Sequence, residues 1–311
     1  PARPAYIEAM TSIDLRAQIR EFLRTRRARI TPAEAGLTAY GGNRRVSGLR
    51  REEVAMLAGV SVDYYVRMER GSLAGVSESV LASLADALRL DDAERDHLEA
   101  LARESGASST RAASNRRAKA ATPVVRPAIR QVLDAITDAP AWVRNGRHDI
   151  LAMNPLARAL YAPVLADPRR PANTTRFIYL QPEAARELFV DYDQVAKDGA
   201  AMLRLEAGRN PHDKDLIQLV GELSTRSELF RQRWASQDVR YHRSGRKRLR
   251  HPVVGQLDLD YEAMELLSDP GLVLNMYTAA AGTPTSDALK ILASWVAGQE
   301  QLVTELAPSN G

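Results

Sequence analysis

The side chains best suited to general acid and base work or to metal ligation are five histidines, His97, His148, His212, His242 and His251. They are scattered, and no two stand at metal-ligand spacing. The chain has no cysteine, which excludes thiolate zinc sites, iron–sulfur clusters, cysteine nucleophiles, disulfide frameworks, flavin–cysteine adducts and cysteine-ligated haem. Gly-x-Ser-x-Gly, His-Glu-x-x-His, Gly-x-x-x-x-Gly-Lys and Gly-x-Gly-x-x-Gly are all missing. Asp258, Asp260 and Glu262 alternate along one predicted strand and read as its solvated face, not as an acid/base pair. No catalytic residue, metal or cofactor is therefore expected. The residues whose types and spacing do carry chemistry run from Leu49 to Gly71. There two helical patterns meet across a short turn, with Gly59 free to take an unusual backbone geometry and small Ala55 and Ala58 allowing close approach. Ser61 reads as an N-cap, which places Val62, Asp63 and Tyr64 in an exposed first turn. In a recognition helix that turn reaches base edges in the major groove of DNA.

The elements that must hold this turn follow from periodicity. Apolar residues recur at helical spacing from Ile13 to Leu23, with five arginines clustered from Arg20 to Arg29. Thr31 to Gly48 is rich in Gly and Pro and cannot be one continuous element. Helical patterns then cover 50–58, 61–70, 77–88 and 92–103, so the first hundred residues predict about five short helices. Ser, Ala, Arg and Pro dominate 104–127, a predicted linker. Beyond it, strands are expected at Ala141–Val143 and Ile150–Met153 around an Asn145-Gly146 turn, and alternation over 248–254, 256–267 and 272–279 predicts an antiparallel sheet with one buried face. Helices are expected at 132–136, 156–161, 182–207, 214–234 and 287–306.

With 311 residues, 45% hydrophobic and 26% charged, the chain has the length of two globular domains. The expected division is 1–104, a helical DNA-binding domain; 105–127, the linker; and 128–311, an α+β domain. The net charge of +4 is unevenly placed: residues 1–71 hold 13 Lys and Arg against 8 Asp and Glu, whereas residues 123–311 hold 23 of each. A positive end on a neutral body suits a nucleic-acid module attached to another domain. No apolar run approaches the ~18 residues of a membrane span, and Pro1-Ala2-Arg3-Pro4 begins no apolar leader, so a cytoplasmic protein with no membrane partner is expected.

The stretch from Glu52 to Gly71 resembles the helix-turn-helix transcription regulators of the XRE/Cro type: Glu-Glu-Val-Ala, Ala-Gly-Val-Ser, then Tyr-Tyr-Val and Glu-Arg-Gly, at every spacing. Gly-Leu-Arg-Arg-Glu-Glu-Val-Ala and Val-Ser-Val-Asp-Tyr-Tyr are similar to one subgroup, whose members carry an MmyB-like ligand-binding domain. The resemblance implies DNA contacts by position. Arg50 and Arg51 open the first helix of the motif, where side chains and helix amides meet phosphates, and Arg51 could also reach a guanine edge. Val62 could pack on a thymine methyl and Asp63 accept from cytosine, or Asp63 could serve only the helix dipole. Ser61, Tyr64 and Arg67 complete the candidate surface, with Arg44 and Arg45 in the preceding loop. Tyr65 and Met68 read as core, and Glu69 as a local partner for an arginine. One such unit buries little surface, so a homodimer on an inverted repeat of double-stranded DNA is expected.

In the second half, Ala141-Trp142-Val143, Ile150 to Asn154, His251 to Gly255, Leu257 to Tyr261 and Tyr277-Thr278-Ala279 resemble the MmyB-like domain, a PAS-like fold. Met153 and Tyr192 stand where many members of the subgroup carry Trp. The resemblance implies a small apolar, fatty-acyl-like ligand, for which Trp142, Asn154, Tyr192, Met202, Phe230, Trp234, His251 and Met276 are the candidates; each could equally be plain core. The basic run Arg240–Arg250 reads as a solvated hairpin, an extension of the DNA contact or a grip for an anionic head group. Two other functions stay open on sequence alone: a small-molecule enzyme with a DNA-binding appendage, and a ligand-free dimerisation scaffold.

Overall fold

The computed structural model describes residues 14–37, 46–107 and 124–306, which form two compact units. The N-terminal part of the first carries α1 (Leu15–Arg29), α2 (Arg51–Leu57), α3 (Val62–Glu69), α4 (Glu78–Ala87) and α5 (Asp92–Ala107). Their starts follow local chemistry. Asp14 accepts from the Arg16 and Ala17 amides, Ser61 from Tyr64 and Ser77 from Val80, each satisfying donors that a helix leaves open at its first turn. Gly59 turns the chain between α2 and α3 at φ +66°. Gly71, at φ +100°, lies so close to α1 that a Cβ there would sit 2.5 Å from the Arg16 carbonyl oxygen. Ile19, Phe22, Val54, Tyr65, Met68 and Leu84 form the centre of the core and are fully buried.

Residues 204–224 and 231–241 cluster with this helical unit, and Leu205 and Val239 join its core. The first of these segments begins within α11 (Tyr192–Arg209) and includes most of α12 (Lys214–Arg226). Arg26, 1% exposed, donates to the Gln237 carbonyl, and its Nε lies 2.9 Å from Glu94 in an ion pair without hydrogen-bond alignment. Arg29 donates to the same carboxylate at 2.8 Å.

The second unit is α+β and PAS-like, as expected. Its five-stranded antiparallel sheet has the order β2-β1-β5-β4-β3, with β1 (Ala141–Asn145), β2 (Ile150–Met153), β3 (Ser244–His251), β4 (Gly255–Glu265) and β5 (Leu272–Thr278). Its helices are α6 (Pro127–Ala135), α7 (Pro155–Leu160), α8 (Ala162–Leu165), α9 (Thr174–Leu180), α10 (Pro182–Leu188), the beginning of α11, the start of α13 (Glu228–Ala235) and α14 (Pro284–Leu306). Period-two alternation sorts the side chains: Val143, Leu274 and Met276 pack in one apolar cluster with Leu133 and Leu272, while their neighbours Trp142, Asn275 and Tyr277 face a cavity. On β4, Leu257, Leu259 and Tyr261 are buried and Asp258 and Asp260 exposed, the alternation read from sequence.

Several boundaries differ from the sequence reading. The Asn145 side chain accepts from the Arg147 and Asp149 amides and donates to the Asp149 carboxylate, which widens the expected two-residue turn and puts His148 at φ +67°. The helix expected over 182–207 breaks at Phe189, which bridges to Leu249 while the Val190 amide donates to Arg248. The helix expected over 214–234 breaks at Ser227, whose hydroxyl accepts from the Phe230 amide. The strand expected over 248–254 ends at His251, because Pro252 to Val254 form the loop that Gly255, at φ +75°, closes. Helix α9 had no counterpart in the sequence reading.

Candidate functional site

The exposed face of the helical unit is organised by a buried acid. Glu69, 3% exposed, accepts from Arg27 at 2.6 Å, from Arg51 and from the Tyr65 hydroxyl at 3.2 Å. Burial alone would raise its pKa; the hydrogen bonds from Arg51 and Arg27 outweigh it and hold the carboxylate below its usual range. Burial drives the Tyr65 phenol upward, with the Glu69 charge adding to it. Arg51 thus keeps its charge, raised by that carboxylate, while its side chain stays half exposed. Arg50 stands just before α2, and its amide donates to Glu53 at 2.6 Å.

On α3, Val62, Asp63 and Arg67 are exposed and Tyr64 half-buried, while Tyr65 and Met68 are fully buried, so the helix divides as its spacing implies. The Arg67 guanidinium stacks 4.6 Å above the Tyr64 ring, which orients it beside the first turn. Asp63, Val66, Arg67 and Arg70 line an open groove of about 490 Å³ with Arg16, Gly71 and Ser72. The sequence reading missed Arg16 and Arg70. Arg70 belongs to the quoted Glu-Arg-Gly and could have been found there, whereas Arg16 reaches the groove only through the close approach at Gly71. Arg44 and Arg45 lie outside the described residues.

The second unit contains a partly open cavity of about 50 Å³. Trp142, Tyr161 and Tyr277 form one wall, with the Trp142 ring 5.0 and 4.9 Å from the two tyrosine rings and the tyrosine hydroxyls 2.6 Å apart. Phe189, Ile178 and Met202 add apolar surface, and Arg144, His148, Thr175, Asp198, Lys247 and Asn275 supply polar groups. His148 pairs with the Thr175 hydroxyl at 2.6 Å; burial, reinforced by Arg144 and Lys247, keeps its ring neutral.

Of the eight ligand candidates, the cavity lining includes Trp142 and Met202. Asn154 uses its amide fully in structure: its oxygen accepts from Ala141 and Ala157, and its nitrogen donates to Ile136 and Ala139. The Tyr192 hydroxyl donates to the Ile178 carbonyl, and its ring lies under Arg186 in a separate open depression. Phe230 packs edge-on against Tyr179. Trp234 lies in the helical unit, 3.9 Å under the Arg204 guanidinium. His251 pairs with the Ala159 carbonyl and the Val253 amide, and Met276 faces the opposite apolar cluster. Among the described residues, no cluster of His, Asp and Glu could hold a metal ion, and no helix is long and apolar enough to cross a membrane.

Comparison with known proteins agrees with both halves. Residues 18–98 match a helix-turn-helix domain, and residues 125–292 match the MmyB-like transcription regulator ligand binding domain. A search of curated proteins finds no match. Since the second match spans more than half of the chain, the chain belongs to the MmyB-like transcription regulators, joining a helix-turn-helix DNA-binding domain to that family's ligand-binding domain.

Proposed function

We propose that the protein is a cytoplasmic homodimer that binds an inverted repeat of double-stranded DNA in a sequence-specific way, and that its DNA affinity changes when a small molecule with an apolar part occupies the second domain. The observation that carries the DNA reading is the division of α3, with Val62, Asp63 and Arg67 outward over buried Tyr65 and Met68. Arg51 and Arg67 are the candidates for base or phosphate contact; Arg50, with Arg44 and Arg45, would meet phosphates, and Ser61 and Tyr64 would shape the first turn. Arg16 and Arg70 join them as phosphate contacts at the groove. For the ligand, the aromatic wall around Trp142 supports a partly apolar molecule, the class that includes the fatty-acyl ligand implied by family resemblance. Two measurements test this. Selection from a random duplex library should enrich a two-fold symmetric motif, and enrichment of a non-symmetric site would overturn the dimer reading. Native mass spectrometry of the purified full chain should show a bound small molecule, whereas a bare mass together with no response to added ligands would remove the sensor.

A further inference from the structure

The chain has five lysines, Lys119, Lys197, Lys214, Lys247 and Lys290. Lys197, Lys214 and Lys290 are exposed, and Lys119 lies outside the described residues. Lys247 is placed differently. On β3, alternation sends Arg246, Arg248 and Arg250 outward, all exposed, while Lys247 points the other way, is only partly exposed and lines the cavity. Its Nζ lies 5.8 and 5.7 Å from the centres of the Phe189 and Tyr261 rings, and no hydrogen bond or ion pair of Lys247 occurs among the described residues. The groups facing it are Arg144 from β1, His148 from the turn after β1, Asp198 from α11, His242 from the start of the hairpin, and the hydroxyls of Tyr161, Tyr261 and Tyr277. Burial lowers the Lys247 pKa to about 8, opposed by the Asp198 charge and assisted by Arg144. At pH 7 the amine is then free in roughly one chain in ten, against roughly one in 2,500 for a lysine of ordinary pKa. An amine taken out of water beside a fixed cation is the arrangement that makes a lysine nucleophilic.

We propose that Lys247 is a covalent binding residue, whose amine forms an imine with an aldehyde that enters the cavity and rests its apolar part against Trp142 and Phe189. The chemistry follows from the amine. The Nζ lone pair attacks the carbonyl carbon, the carbonyl π pair moves to oxygen, and a proton passes from nitrogen to that oxygen to give a carbinolamine. The oxygen then leaves as water with the second nitrogen proton, and the C=N bond forms. Amine and aldehyde become imine and one water, with nothing oxidised or reduced. Asp198, the one carboxylate among the described residues that line the cavity, is the group placed to carry these protons. Once protonated, the imine keeps the positive charge of the ammonium, so the Phe189 and Tyr261 rings and Asp198 favour it as they favour the lysine. The proposal rests on the ligand-binding reading above and adds to it one functional group and one bond.

Incubating the full chain with equimolar hexanal, reducing with borohydride and mapping the peptides by mass spectrometry tests it. The reduced hexyl adduct is expected on Lys247, with Lys197, Lys214 and Lys290 each modified at least tenfold less. Lys247→Arg keeps a cation at the same place on β3 and cannot form an imine, so it should lose the adduct. If that variant fails to fold, the pH profile of the parent decides. The initial rate of modification at Lys247 should rise about tenfold from pH 7 to pH 9 and then level off, because the free amine is the reacting form. A rate still climbing steeply from pH 9 to pH 10 marks an ordinary amine and overturns the proposal, as does even modification of all the lysines. If no adduct forms on Lys247 while native mass spectrometry detects a small molecule that denaturation releases intact, the covalent bond is excluded and the ligand-binding reading stands. A chain that forms no adduct and is bare in native mass spectrometry loses both.

Discussion

Glu69 and Gly71 decide how the helix-turn-helix presents its arginines. Glu69 anchors Arg27 and Arg51 from within the core, so the half-exposed Arg51 leaves from a fixed point and loses less freedom on meeting DNA than an untethered arginine. Arg67 is oriented by the Tyr64 ring. Arg51→Ala and Arg67→Ala should each weaken operator binding by about 1 to 3 kcal/mol, measured by fluorescence anisotropy on a fixed duplex at fixed salt. Unchanged affinity in both would displace the contact surface from α3. Gly71 is a separate case, because its constraint is backbone. The positive φ and the 2.5 Å approach to the Arg16 carbonyl oxygen act together in Gly71→Ala, which should cost about 3 kcal/mol of stability and lower the thermal midpoint. A midpoint equal to the parent's would mean that α1 is not held against this turn.

At the scale of elements, α1, α5 and the last turn of α11 meet around a histidine with nowhere to put a charge. His97 is 1% exposed, neither ring nitrogen has a hydrogen-bond partner, and its ring stands edge-on to Phe22 at 5.0 Å. Gly208 of α11 has no side chain to collide with that ring. Burial, with Arg204 and Arg26 close by, pushes the His97 pKa from 6.5 down to about 3. The folded unit therefore resists a proton that the unfolded chain accepts, so this contribution to stability is present above pH 6.5 and is lost as the pH falls from there towards 3. Denaturant titrations at pH 7, 5 and 4 should show the helical unit weakening stepwise, and His97→Leu should flatten that dependence; an unchanged acid slope in the variant would show that other groups set it. The five helices around this site were legible in the sequence because their caps and apolar spacing are local. The contributions of Leu205, Val239 and Gln237 were not, since a helical core recruiting segments a hundred residues downstream leaves no periodic trace. The cavity was legible only in part. Candidates chosen by residue type captured Trp142 and Met202 but also Met276, which strand alternation turns to the other face, and Asn154, an amide consumed by capping. Lys247 stood in plain view within a basic run, and its inward direction became readable only once the register of β3 was known.

For the whole molecule, the question is whether two recognition helices act together. A single α3 offers one exposed turn, and modules of this size bury too little for tight specific binding alone, whereas two related by a two-fold axis read half-sites about one helical turn apart, roughly 34 Å. Symmetry makes the separation between half-sites a physical requirement. Inserting 5 base pairs rotates one half-site by about half a turn to the opposite side of the duplex, and a dimer can then hold both only by twisting the DNA or itself. Affinity for the selected repeat should therefore fall at least tenfold with a 5 base pair insertion. The complex should contain two chains per duplex by analytical ultracentrifugation. Independent monomers would bind each half-site regardless of spacing, so equal affinity for the parent and the inserted duplex would exclude the coupled dimer. The same duplexes give access to the ligand. If a ligand in the cavity changes DNA affinity by some factor, saturating DNA must change the affinity for that ligand by the same factor, because both describe one coupling free energy. Titrations of the molecule found by native mass spectrometry, with and without the parent repeat, should show this equality. A ligand effect on DNA affinity without its reciprocal would locate that effect somewhere other than the equilibrium of this protein.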